Sequence, residues 1–349
     1  MTASTVQAAM TTGDTAHPLD PELRAGRIPH IWCPGCGIGS AMQAFLEAVD
    51  AAGLKRDRLA VVSGIGCSGR MTVYVDFNTL HTTHGRALTF ATGIKLANPN
   101  LTVIGFAGDG DAYGEGIEHL IFSAKRNIDM TFIVHNNRIY GLTTGQFTPT
   151  SPSGFKGRST PGGSPEDPLN PIEIMLSAGA TFVARGYTRN MEHLQSLIKA
   201  AVNHKGFSFI DVLQPCFTFF NTYDYYNERV YEISQKDHDA SDRKTAFVKA
   251  GEWAYGVGDQ IPIGIFYQVK KPTYEEKLLE GKSAEDETAK KELEVLKKDQ
   301  EKKLSNEAAD KEARLITTSK DAVRLPSDFP GKVALDILPV KLEWEDRDS

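Results

Sequence analysis

The chain has 349 residues, 40% hydrophobic and 24% charged, with a formal net charge of −6. That balance suits a globular protein with a substantial core and length for about two domains. It offers no general attraction to nucleic acid or an anionic membrane, and no apolar run reaches bilayer-crossing length.

Residues 1–27 read as a flexible N-terminal arm. The stretch up to about Pro18 is rich in Thr and Ala, with neither a basic n-region nor an apolar h-region, so it does not read as a signal peptide. Free thiols and no export signal lead us to expect a reducing, cytoplasmic setting. Over residues 35–49, Ile38, Met42, Phe45, Leu46 and Val49 recur at helical spacing. Residues 59–62 predict a short strand running into the Gly64 turn. Residues 101–107 are nearly all apolar, as expected of a strand covered on both faces. Ile117, Leu120, Ile121 and Ala124 mark one face of a helix, and residues 130–134 predict another buried strand. Strand, helix, strand with short connections implies a right-handed parallel crossover.

Residues 143–170 are dense in Thr, Ser, Pro and Gly. A loop this long inside a compact domain is functional or disordered. Alternation then resumes: helix over 172–178, strand over 181–184, helix over 191–202 and strand over 207–213. The fold class expected is α/β, a doubly wound, mostly parallel sheet over residues 28–230. Residues 231–349 form a C-terminal extension. Within it, residues 274–315 are dominated by Glu, Lys, Asp and Ala, which predicts a solvent-exposed helix or helical pair available to a partner.

The chain has four cysteines. Cys33 and Cys36 form a CxxC in Trp32-Cys33-Pro34-Gly35-Cys36-Gly37. Cys67 sits in Gly66-Cys67-Ser68-Gly69, and Cys216 follows Gln214-Pro215. Each lies in a Gly- or Pro-rich turn context. Four thiolates with none left over match a tetrahedral zinc or a cubane iron–sulfur cluster, and spacing does not choose between them. A zinc-stapled binding module therefore remains an alternative.

The strand over 101–107 runs into Gly108-Asp109-Gly110-Asp111. The strand over 130–134 runs into His135-Asn136-Asn137-Arg138-Ile139-Tyr140-Gly141. Ligands of open α/β sheets bind beyond the carboxyl ends of strands, where both motifs fall. Glycines let backbone approach a phosphate, and an Asp with an Asn amide oxygen suits Mg²⁺. Asp109, Asn137 and the Ile139 carbonyl are the candidate ligands. Each motif alone is commonly a turn; paired at consecutive crossover strands, they indicate a site. Gly64, Gly66 and Gly69 also spell GxGxxG, but the acidic residue expected about twenty positions on is missing, which argues against a dinucleotide site.

Taken together, these motifs resemble the thiamine-diphosphate-binding β subunit of 2-oxoacid:ferredoxin oxidoreductases. The GDG followed by NN looks like the thiamine diphosphate signature. The cysteine motifs and His81-Thr82-Thr83-His84-Gly85-Arg86-Ala87 are similar to further family motifs. The likeness spans about residues 28–229.

The resemblance implies Mg²⁺ on Asp109, Asn137 and Ile139, and one [4Fe–4S] cluster on Cys33, Cys36, Cys67 and Cys216. It implies thiamine diphosphate among Gly66, Cys67, Ser68, His84, Gly108, Asp109, Gly110, Asp111, Asn137, Gly141, Leu142 and Thr143, with Thr144 nearby. Arg70 would face the 2-oxoacid carboxylate, His84 would serve the diphosphate or a carbonyl, and Leu142 would line the substrate pocket. The implied activity is oxidative decarboxylation of a 2-oxoacid, with electrons passing through the cluster to ferredoxin and the acyl group to coenzyme A. The acid expected is 2-oxoglutarate, with pyruvate or a branched-chain acid as alternatives. An α subunit would supply the pyrimidine-binding domain and its Glu, for which this chain is too short. Gly114-Glu115-Gly116 departs from the small apolar sequence expected there.

Overall fold

A computed structural model describes residues 19–255 and 258–278, and the backbone of residues 315–318 and 335–338. The chain divides into two units, Met1–Gly281 and Lys282–Ser349.

The strands of the first unit are β1 (Leu59–Ser63), β2 (Asn78–His81), β3 (Thr102–Gly108), β4 (Met130–Asn136), β5 (Ile139–Tyr140), β6 (Gln146–Phe147), β7 (Phe182–Tyr187), β8 (Phe207–Leu213), β9 (Val230–Glu232) and β10 (Ile261–Gln268). Its helices are α1 (Gly37–Ala51), α2 (Met71–Tyr74), α3 (Ala87–Ala97), α4 (Ile117–Arg126), α5 (Pro171–Ala178), α6 (Met191–Asn203), α7 (Tyr223–Arg229), α8 (Arg243–Ala250) and α9 (Tyr274–Leu278). Eight strands form one sheet in the order β2-β1-β3-β4-β8-β7-β10-β9, and β5 and β6 make a separate two-stranded ribbon. From β2 to β7 all neighbours are parallel; β10 runs antiparallel to β7. The doubly wound, mostly parallel sheet expected from the alternation of apolar runs is the fold found.

Pleating explains both cores. Ala60, Val62, Val103, Phe132, Val134 and Phe209 project to one face, against α3, α4, α5 and α8. Leu59, Val61, Ile104, Phe106, Ile133 and Ile210 project to the other, against α1, α2 and α6. Helix ends follow local chemistry. Asn127 takes the left-handed conformation (φ 56°) that closes α4. Pro171 opens α5. The Asp242 carboxylate caps α8, accepting from Lys244 N (3.1 Å) and Thr245 N (3.2 Å).

Several boundaries differ from expectation. Residues 19–27 are built in, not loose: Arg24 donates to Phe77 O (3.1 Å) and Thr79 Oγ1 (2.8 Å) and pairs with Asp76 at 3.7 Å. Residues 1–18 of the expected arm lie outside the described residues. The sheet does not stop at 230. β10 continues it because Ile261, Ile263 and Phe266 are buried, so the first unit reaches Gly281. The helix expected over 274–315 starts as α9; residues 279–314 lie outside the described residues, and Leu315 begins a strand. In the second unit, β11 (Leu315–Thr318) pairs in parallel with β12 (Leu335–Leu338). Among the described residues no helix is long and apolar enough to cross a membrane.

Candidate active site

Four neighbouring strands, β1, β3, β4 and β8, run in parallel and end at the same edge of the sheet, within three residues of one another: Ser63 pairs with Phe106, Gly108 with His135 and Asn136 with Leu213. Their next residues are Gly64, Asp109, Asn137 and Gln214. The sequence motifs therefore converge on one rim of the sheet, beyond its carboxyl ends, where an open α/β sheet parts its loops.

Asp109 is 1% exposed. Thr148 Oγ1 donates to its Oδ2 at 2.5 Å and Thr150 Oγ1 at 3.0 Å, and the Asn137 N–H faces the same carboxylate. Burial still pushes its pKa up to about 6, against the pull of those hydroxyls. No cationic side chain pairs with Asp109 among the described residues. A buried carboxylate served only by neutral donors fits a cation, since an unpaired buried charge is costly.

Beside it the Asn136–Ile139 turn is held by two side-chain bonds, Arg138 N to Asn136 Oδ1 (3.2 Å) and Ile139 N to Asn137 Oδ1 (3.0 Å). Arg138 consequently sits at φ 63°, a conformation costing about 1–3 kcal/mol for a side-chain-bearing residue. Its guanidinium is buried, donating to Thr150 O (2.7 Å) and Tyr255 O among the rings of Phe220, Trp253 and Tyr255. The strained turn is thus fixed from behind. Asn137 Oδ1 keeps a second lone pair for a metal.

One cavity is lined by Gly66, Cys67, Ser68, His84, Gly108, Asp109, Gly110, Asp111, Asn137, Ile139, Gly141, Leu142 and Thr143, every residue expected for cofactor or Mg²⁺ there. Asp111 braces its wall. Its Oδ1 accepts from Gly85 N at 2.6 Å and lies 3.1 Å from His84 Nδ1, which is also 3.1 Å from Glu115 Oε2. A Cβ on Gly64 would overlap the Asp111 carboxylate, and one on Gly110 would overlap the Tyr140 ring. These glycines let loops approach where any side chain would block them. The departure noted at Gly114-Glu115-Gly116 falls at a π-helical turn, Gly110–Glu115, whose Gly114 lies against the Tyr140 hydroxyl.

The four cysteines line a second cavity with Trp32, Leu142, Thr144 and Phe217. Trp32 Nε1 donates to Cys67 O (2.8 Å) and Tyr223 OH to Gly35 O (2.9 Å), tying the CxxC loop to both other segments. Cys36 caps α1, whose Ile38 N–H faces its sulfur. Burial first, then neighbouring thiols, push Cys36 and Cys67 up to about 11. Such thiols become thiolates when a metal supplies the compensating charge. Among the described residues no three His, Cys, Asp or Glu side chains converge on a single ion. A cubane spreads its ligands over separate irons. The two cavities share Ile38, Cys67, Asn137, Gly141 and Leu142. Arg70 lowers the pKa of Cys67 by its charge but lines neither cavity.

Sequence reading missed His135, Tyr140, Ile38, Ile65 and Gln214, which also line the first cavity. His135 is buried, and burial alone lowers its pKa to about 4; Ser68 Oγ lies 2.7 Å from its Nδ1. It also missed Thr148 and Thr150, although the composition of the 143–170 loop marked their segment.

Residues 64–212 match the family described as thiamine pyrophosphate enzyme, C-terminal TPP binding domain. Residues 215–283 match the C-terminal family of the pyruvate ferredoxin oxidoreductase beta subunit. The chain is 45% identical over 264 residues to the 2-oxoacid:ferredoxin oxidoreductase subunit beta of Saccharolobus solfataricus, covering 71% of this chain and 85% of that one. It is 50% identical over 198 residues to the 2-oxoglutarate synthase subunit KorB of Methanothermobacter thermautotrophicus, covering 57% and 69%. In structure it is similar to the 2-oxoglutarate:ferredoxin oxidoreductase from Magnetococcus marinus, solved with 2-oxoglutarate, coenzyme A and succinyl-CoA bound. The TM-score is 0.70 and the identity 35%, over 81% of this chain and 97% of that one. With the GDG and NN motifs at one strand rim and the four cysteines beside it, this likeness identifies an oxidoreductase subunit: the chain belongs to the 2-oxoacid:ferredoxin oxidoreductase beta-subunit family.

Proposed function

We propose that this subunit binds thiamine diphosphate with Mg²⁺ and one [4Fe–4S] cluster, and oxidatively decarboxylates 2-oxoglutarate. Electrons would leave through the cluster to ferredoxin, and coenzyme A would take the acyl group. The observation that carries the reading is the shared wall: the cavity lined by the GDG and NN motifs and the cavity lined by the four cysteines meet at Cys67, Asn137 and Leu142. Thiamine diphosphate supplies an electron sink for the carbon that loses carbon dioxide. Asp109, Asn137 and the Ile139 carbonyl would hold Mg²⁺. The glycines at 66, 108, 110 and 141 leave room for the diphosphate. His84, whose Nδ1 lies 3.1 Å from Asp111 Oδ1, would donate to it. Cys33, Cys36, Cys67 and Cys216 would hold the cluster. Leu142, 46% exposed, would cover the reacting carbon and keep water away. An α subunit would supply the pyrimidine-binding domain and its Glu, and the larger share of the coenzyme A contact.

The acid is supported by the names of similar proteins, several of them 2-oxoglutarate synthase subunits, and by the bound 2-oxoglutarate in the Magnetococcus enzyme. Arg70 remains the candidate for the substrate carboxylate, a role that requires it to turn toward the cavity. Anaerobic purification with iron, sulfide, magnesium and thiamine measured together tests the cofactors. About four irons and one thiamine per chain are expected; zinc in place of iron would favour a stapled binding module. Turnover of the reconstituted complex tests the acid: equal or faster rates with pyruvate would overturn 2-oxoglutarate.

A further inference from the structure

Gln214 is fully buried and lines the cavity of the GDG motif, with its side chain near Cys36 of the second cavity. It follows β8 and precedes Pro215 and Cys216, so its backbone is fixed at both ends; its own N–H donates to Asn136 O at 3.0 Å. Its side-chain Nε2 donates to Pro215 O at 2.6 Å and stands 3.6 Å from Cys36 Sγ, within reach of an N–H···S bond. Its Oε1 has no hydrogen-bond partner, and the residue lines the cavity of the GDG motif. The amide orientation follows from this network. Exchanging its oxygen and nitrogen would set two carbonyl oxygens 2.6 Å apart and remove the donor from the sulfur. A buried, half-satisfied amide is costlier than an apolar side chain of similar size.

We propose that Gln214 is a positioning residue for electron transfer, donating its amide N–H to the Cys36 sulfur and turning its unpartnered amide oxygen toward the cofactor cavity. This rests on the cluster assigned under the proposed function. Hydrogen bonds to ligand sulfur stabilise the more electron-rich, reduced cluster and so raise its potential. The Ile38 N–H faces this sulfur, and the Gln214 amide is the side-chain donor to it. Substrate oxidation still supplies the electrons and ferredoxin still accepts them. Gln214 changes only the energy of their stop at the cluster.

The test is an EPR-monitored redox titration of the anaerobic complex carrying wild type, Gln214→Met (similar length, no donor) or Gln214→Glu (same shape, an acceptor at the sulfur). Both variants should keep wild-type iron and sulfide and show a lower midpoint potential, with Gln214→Glu the lower. Wild-type complex grown with side-chain ¹⁵N glutamine should also show a ¹⁵N hyperfine coupling to the reduced cluster. That measurement stands even if a variant fails to assemble. An intact cluster with unchanged potential in the variants, or without the ¹⁵N coupling in wild type, overturns the role of Gln214 and leaves the cluster assignment standing. Wild-type complex without iron overturns both.

Discussion

Thr150 bears on the proposed Mg²⁺ site through Asp109. Its Oγ1 lies 3.0 Å from Asp109 Oδ2 and 2.9 Å from Asn136 Oδ1, between the two motifs. Thr150→Val keeps the shape and removes the link. Loss of a partner behind a metal ligand costs roughly 10–100-fold in metal affinity, so Mg²⁺-dependent retention of thiamine diphosphate should weaken by that factor in a cofactor titration. A folded variant with wild-type affinity would show that Thr148 alone holds Asp109. Two glycines make a matched pair on the stability side. Gly64→Ala must displace the Asp111 carboxylate and should cost about 1–3 kcal/mol. Gly93→Ala, in the middle of α3 with open space around its Cβ, should gain about 0.5–1 kcal/mol. Opposite shifts in thermal midpoint would check both.

At the scale of single elements, α6 ends on His204, 8% exposed. Thr181 Oγ1 gives its proton to Asn127 Oδ1 (2.7 Å), so at 2.9 Å it must accept from a protonated His204 Nε2. A helix C-terminus favours a cation by about 0.3–1 kcal/mol, yet burial is the larger effect and lowers the pKa below its ordinary 6.5. The unfolded chain then binds the proton first. Stability should be full above pH 6.5 and fall as the pH drops through the ordinary value toward the folded one. His204→Gln, measured by urea midpoints between about pH 7 and pH 5, should show a shallower fall; an unchanged slope would assign the acid sensitivity elsewhere. Elements also mark what the sequence made legible. β3 and β4 read clearly because both faces are buried and their central positions are apolar. β2 did not, since its Asn78–His81 sequence is an exposed edge with no apolar period. β10 was missed because it lies beyond the cysteine motif that seemed to end the domain, and its strand Pro262 breaks the usual pattern.

Across the whole molecule, the candidate site is legible as motifs but not as a connected body. The GDG, NN and cysteine segments are short and chemically distinctive, so they stand out in the sequence. What joins them does so through buried side chains far apart in the chain, and no spacing rule reports it. Asp211 on β8 is the hub. It accepts from Tyr113 OH (2.8 Å), Asn136 Nδ2 (3.0 Å) and Tyr255 OH, and lies 3.5 Å from Arg185 Nε on β7. Through Asn136, whose Oδ1 lies 2.9 Å from the same Thr150 Oγ1 that lies 3.0 Å from Asp109 Oδ2, it comes within one hydroxyl of Asp109, so the sheet interior and the candidate-site rim are neighbours in one polar cluster. Both Asp211 and Arg185 are fully buried, and Arg185 is otherwise served by Pro262 O and the faces of Trp253, Tyr255 and Phe266. Removing one partner of such a pair leaves a charge stranded and costs about 3–5 kcal/mol. Asp211→Leu alone should therefore lower the urea midpoint steeply. Asp211→Leu with Arg185→Met, which empties the site of both charges, should recover much of that loss. Because Asn136 keeps only the Tyr255 hydroxyl (3.2 Å) of its two Nδ2 partners in either case, cofactor affinity should stay impaired in the double variant even where stability returns. Recovery of both together would mean that Asp211 acts on the fold alone and has no hold on the Asn136–Ile139 turn.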